Sequence, residues 1–277
     1  MNGVLVKRGL RDAAGMLIAC CALMCGFVWF RGWVSSKIEF SALASLLTDA
    51  FGSFLKLLPV PIDQLASPLG RMAFSFEEGP VVLVTGLWAI ARGTDVIAGQ
   101  QGAGTMEMLL AQPLRRITVV TSHLIVTLLG AAAIVSAAWI GTGLGLLVID
   151  MQDEPAWRQF WPAVVNLGGL LVCVAGISTL ASALARTRTQ AVALVIGFYV
   201  IELAFMILGR LVPETHGESF TFLTAYDPTR LTLALAEGGA EAASLFIKYN
   251  VVLVGLGAGC WAIAAAIFCR RDVPAPL

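Results

Sequence analysis

Six stretches of this chain are apolar for long enough to cross a bilayer, and they constrain the fold more than anything else in it. A hydrocarbon core about 30 Å thick needs roughly 20 helical residues. The runs lie at about 13–30, 81–98, 117–141, 162–185, 190–208 and 245–269. Of 277 residues, 58% are apolar and 13% are charged, against about 25% charged in a soluble domain. The expected fold is therefore all-α and integral to a membrane, one transmembrane domain over 1–277 with six helices. The first run is about span length with no clear small-x-small site after it, so it reads as a span rather than a cleavable signal. Before it, Val4 to Leu10 is a short apolar and basic stretch, either an interfacial elbow helix or an untethered terminus. The third run stays apolar from Ile117 to Val148, and Gly141, Gly143 and Gly145 are expected to end the crossing or bend it.

The arginines and lysines give an orientation. With the N-terminus inside, the inner segments carry Lys7, Arg8, Arg11, Arg92, Arg115, Arg116, Arg186, Arg188, Arg270 and Arg271, with only Asp12, Asp95, Glu107 and Asp272 as acids. Most of the remaining acids fall in the outer segments. The positive-inside rule thus predicts cytoplasmic N- and C-termini. Two outer segments are long. In residues 31–79, Phe40 to Leu58 repeats apolar residues at helical spacing and predicts an amphipathic helix at the outer interface. In residues 209–246, Thr221 to Leu235 is apolar enough to dip into the interface. Trp29, Trp33, Trp157 and Trp161 flank span ends as an aromatic belt.

The inner loop 99–116 has its own pattern. Gly102 and Gly104 can break a helix, Thr105 can cap a new one, and Pro113 can stop it. Met106, Leu109 and Leu110 fall at i, i+3 and i+4, so one face of this short helix is apolar, while Glu107 and Gln112 lie off the stripe. Two turns of helix are not stable alone, and an apolar face at a membrane surface calls for a docking partner.

This stretch resembles the signature of ABC-2-type transporter permeases. There the second span ends in Ile-Ala-Gly-Glu-Glu, followed by Gly-Thr-Leu-x-Leu-Leu-Leu, a Pro and a basic residue. The matching residues here are Ile97-Ala98-Gly99, then Gly104-Thr105-Met106-Glu107-Met108-Leu109-Leu110-Ala111-Gln112-Pro113, and Arg115-Arg116. Gln100-Gln101 depart from the pattern by replacing its acidic pair. Asp227-Pro228-Thr229 with Arg230 is similar to an Asn-Pro element before the sixth span of that family.

The resemblance implies an ABC-2-type exporter permease fold, with Thr105, Met106, Glu107, Leu109, Leu110 and Pro113 forming a coupling helix. That helix would dock on a cytoplasmic ABC ATP-binding subunit. It also implies a second permease subunit, identical or related, and residence in the plasma (inner) membrane. The chain has no Gly-x-x-x-x-Gly-Lys-Ser/Thr loop, so ATP and Mg belong to the partner. No cofactor, metal or catalytic group is expected on this chain. No basic stripe suggests nucleic acid, and the transported substrate is not readable. The alternatives are a permease-like scaffold that tethers without transport, an intramembrane enzyme, and a proton-coupled carrier, which usually shows more buried carboxylates and repeat symmetry.

Several residues carry paired readings. Glu202 lies mid-span, where a charge costs about 2.5–3.5 kcal/mol on insertion scales. It lies either on a translocation path or dimer seam, or it is a protonated Glu bonded to a neighbouring hydroxyl, or it sits nearer the interface. Arg92 and Asp95 share a helix face, and Arg92 is expected to snorkel to water. Cys20, Cys21, Met24 and Cys25 are soft ligands of the kind that suit Cu(I), but thiols in apolar runs are more often small fillers. His123 reads as an interfacial polar residue. Gly141/Gly145 and Gly255/Gly259 have the small-xxx-small spacing of close helix contacts.

Overall fold

A computed structural model describes residues 3–37, 67–110, 115–148, 155–212 and 221–270. The expected Phe40–Leu58 helix lies outside the described residues. Among those described, the elements in order are helix α1 Gly3–Lys37, α2 Pro68–Phe74, α3 Gly79–Thr94, a π-helical turn Asp95–Gly99 continuing to Gly102, and α4 Thr105–Leu110. They are followed by α5 Arg116–Val148, a 3-10 turn Trp157–Phe160 leading into α6 Trp161–Leu184, and α7 Arg188–Leu211. A second 3-10 turn Phe222–Ala225, α8 Pro228–Glu237 and α9 Ala240–Arg270 complete the order. Six helices are long and apolar enough to cross a membrane, and each contains one of the six expected runs.

The helices extend beyond those runs. Helix α1 has 35 residues, about 52 Å at 1.5 Å per residue, so Val4 to Leu10 is neither a separate elbow nor untethered but the first turns of the span. Helix α5 runs unbroken for 33 residues. Its glycines neither end nor bend it. They serve contact instead: a Cβ at Gly141 would lie 2.6 Å from the Cys25 carbonyl, and one at Gly145 would lie 3.7 Å from Gly32 Cα. At Gly141 the missing Cβ lets α1 and α5 pack backbone to backbone, while a Cβ at Gly145 would make only an ordinary van der Waals contact. The Gly255/Gly259 pair meets nothing within 4 Å; Gly257, between them, faces Val172, Cys173 and Gly176 of α6.

Helix α6 is the centre of the bundle, contacting α3, α5, α7, α8 and α9. Its apolar side chains, with Trp88 of α3 and Ile134 of α5, form the main core. Two of its polar residues are satisfied within the helix. Ser178 and Thr179 donate to the carbonyls four residues back, at 2.7 and 2.8 Å.

At one end of the bundle two short helices pack against the long ones. Ser67 caps α2 by accepting from Gly70 N at 3.0 Å, and Pro68 occupies its first turn, as helix starts prefer. Asp227 and Pro228 do the same for α8, with Asp227 Oδ1 accepting from Arg230 N at 3.1 Å. The buried Asn166 of α6 fastens this region. Its Nδ2 donates to the Ala225 carbonyl at 3.0 Å and its Oδ1 accepts from Asp227 N at 3.1 Å. Tyr226 OH donates to the Phe76 carbonyl. Burial, then the nearby Glu77 carboxyl, holds that phenol well above its usual range, so it stays a donor. Thr221 to Leu235, expected to dip toward the interface, is largely buried here. Arg31 of α1 pairs with Glu78 at the start of α3. Trp29, Trp33, Trp157 and Trp161 are all partly exposed at this end, as an aromatic belt requires.

Candidate functional site

The opposite end of the bundle carries the loop singled out in the sequence. Helix α3 first widens into the π turn Asp95–Gly99. An i→i+5 register leaves backbone groups without their usual partners, and one hydroxyl from α6 supplies them. Ser182 Oγ accepts from Ile97 N at 3.2 Å and Ala98 N at 2.9 Å, and donates to the Thr94 carbonyl at 2.9 Å. The π turn is therefore plugged from outside its own helix, and its direction is tied to α6.

Beyond it, Gly104 adopts φ +67, a left-handed conformation that glycine enters without a Cβ penalty, and α4 begins. Thr105 is the first residue of that helix rather than its cap. Its hydroxyl turns back and donates to Gln100 Oε1 at 2.6 Å, because the reversal at Gly104 brings the two side chains together. Met106, expected on the docking face, is 1% exposed. It packs with Val96, Ile97, Val120, Ala183, Trp261, Ala264 and Phe268, which anchors α4 to the bundle. Met108 is 66% exposed. The side chains of Glu107, Leu109 and Leu110, and Pro113 as a whole, lie outside the described residues.

A cavity of about 320 Å³ opens between α4, the π turn, the first turns of α1 and the start of α5; Arg8, Asp12, Arg92, Asp95, Gln100 and His123 supply its polar wall. Arg92 does not snorkel. It is 6% exposed, and its Nη1 lies 3.9 Å from Asp95 Oδ2. Asp95 Oδ2 also accepts from Gln100 Nε2 at 3.3 Å, so an ordered chain runs Arg92, Asp95, Gln100, Thr105. His123, expected at the interface, lines the cavity instead.

Glu202 is buried in α7, and its carboxylate accepts from Phe222 N at 3.1 Å, at the start of a 3-10 turn. Its partner is thus a backbone N–H rather than the neighbouring hydroxyl expected of the structural reading. Cys20 is buried and Cys21 and Cys25 partly so. Among the described residues no group of three His, Cys, Asp or Glu is placed to hold a metal ion.

Six helices long and apolar enough to cross a membrane, with short helices packed against them, define a multi-pass membrane protein. The chain belongs to the ABC-2 family of transporter proteins, whose family model matches residues 14–273. No curated protein matches the chain. Membership makes it a membrane permease component of an ABC transporter, a class whose members associate with an ATP-binding subunit.

Proposed function

We propose that this chain is the permease subunit of an ABC transporter in the plasma membrane. It would move its substrate with ATP hydrolysed by a separate cytoplasmic ATP-binding subunit, and would pair with a second permease. The segment 105–113, including Thr105, Glu107, Leu109, Leu110 and Pro113, is the coupling element. The observation that carries this reading is the mounting of α4. Met106 roots it in the core and Ser182 fixes the π turn before it, while Met108 projects outward. A short helix rooted at Met106 with Met108 exposed suits the transfer of force from a docked subunit to α3 and α5.

The test is co-purification with, and stimulation of, a co-expressed ATP-binding subunit. Met108→Asp places a charge on the projecting face without touching the core, and should reduce co-purification and coupled ATPase activity about tenfold, the loss of a well-packed interface side chain. Undiminished co-purification and activity would reject α4 as the coupling element. A scaffold without transport would bind the ATPase yet show no cargo-dependent hydrolysis.

A further inference from the structure

We propose that the outward face of the first turns of α1 is a binding surface for an anionic phospholipid, whose head group Lys7 and Arg11 hold together. The inference needs the chain to span a membrane, and needs neither an ATPase nor transport. Lys7 and Arg11 are four residues apart, so their side chains share one helix face, and both are exposed. The other basic residues of α1 are engaged. Arg8 pairs with Asp12 at 3.8 Å, and Arg31 pairs with Glu78. Among the described residues, the side chains of Lys7 and Arg11 have no ion pair and no hydrogen bond.

The rest of that face decides what lies beside them. At 3.6 residues per turn, Ile18, Ala22 and Trp29 fall within about 40° of the line through Lys7 and Arg11, and all three are exposed. The line thus runs basic, then apolar, then aromatic, the order of a helix side turned to lipid between two head-group layers. From Arg11 to Trp29 it rises about 27 Å at 1.5 Å per residue, close to the ~30 Å of a hydrocarbon core. Lys7 and Arg11 therefore stand at head-group depth, facing away from the bundle, and the molecule in reach of them is a lipid.

Charge selects the kind of lipid. Asp12, the acid of these turns, is already taken by Arg8, so the face presents two free cations. A zwitterionic head group brings a cation of its own to this pair. A phosphatidylglycerol head group brings one net negative charge that both side chains can share. A second copy of the chain fits the face poorly: packed side by side about a two-fold axis, the same residues of each copy meet, and four cations would face one another.

The experiment gives the full chain in detergent equal amounts of phosphatidylglycerol and phosphatidylcholine with the same acyl chains, and counts bound lipid by native mass spectrometry. Wild type should prefer phosphatidylglycerol about 25-fold, roughly fivefold for each cation. Lys7→Gln and Arg11→Gln should each lower the preference to about fivefold, and the double variant should bring it close to parity. Either single variant serves if the double does not fold. Preferences equal to wild type overturn the proposal. An equal loss from Arg186→Gln, an exposed arginine in the turn between α6 and α7, also overturns it, because the preference would then belong to the whole end of the bundle. Arg11→Cys in a chain lacking its native cysteines should form no disulfide-linked dimer when oxidised in phosphatidylglycerol vesicles. Such a dimer would place a second copy on this face and overturn the lipid as its occupant.

Discussion

Ser182 serves three backbone groups of another helix with one hydroxyl, and nothing near it in sequence announces this. It lies 85 and 84 residues from its partners at Ile97 and Ala98. Composition marks the ends of helices but not a change from i→i+4 to i→i+5 pairing, so the π turn was not legible while the break at Gly104 was. Arg92 failed for a related reason. An arginine near the end of an apolar run reads as one that reaches water, and only tertiary packing shows the α1 turns closing over it. Glu202 was legible as a problem to be solved, since a carboxylate amid apolar residues needs a partner, but Phe222 N lies 20 residues on in a separate turn. At this scale Ser182→Ala should leave two buried N–H groups unpaired and lower stability by about 1–3 kcal/mol. A thermal midpoint in detergent equal to that of wild type would show that the π turn is held by something else.

At the scale of elements, hydropathy located all six spans because lipid imposes a length and a composition together. It could not locate their ends. Apolarity reports only the part of a helix at hydrocarbon depth, while α1 continues past it on either side. Helix α2, seven residues long, leaves no span-length signal at all. Asp227-Pro228 could be read as a helix start because capping chemistry is local. Helix pairs were legible only as a shared spacing: Gly141 and Gly145 do face a neighbour, Gly255 and Gly259 do not, and the contact in α9 belongs to Gly257. Gly257→Ala should therefore force α6 and α9 apart, costing about 1–3 kcal/mol by overpacking. Gly255→Ala meets open space and should be neutral or gain up to about 1 kcal/mol of helix propensity. Equal thermal midpoints for the two variants would contradict the α6/α9 contact.

At the scale of the whole molecule, the two ends of the bundle differ in kind. One carries the tryptophan belt, the short helix α2 and the buried Asn166 fastening; the other carries arginines, α4 and the cavity. Charge asymmetry alone predicts which faces the cytosol, and the prediction can be checked in sealed cells with a version lacking native cysteines. A cysteine at Met108 should react with a membrane-impermeant maleimide only after the cells are opened, and one at Glu237, exposed at the far end, should react in intact cells. The reverse pattern would invert the topology and, with it, the docking proposal. The docking partner was readable only as a need, from an apolar stripe too short to stand alone. The cavity was not readable at all, because its wall draws on three separated segments.

Helix α1 joins these ends without interruption. Its first turns wall the cavity, its glycine-facing middle lies flush against α5, and Arg31 near its far end pairs with Glu78. An unbroken helix of that length behaves as a stiff lever. Tilting its basic tip must swing its other tip across the opposite leaflet, so a disturbance on one side of the bilayer is delivered to the other without any intermediate hinge.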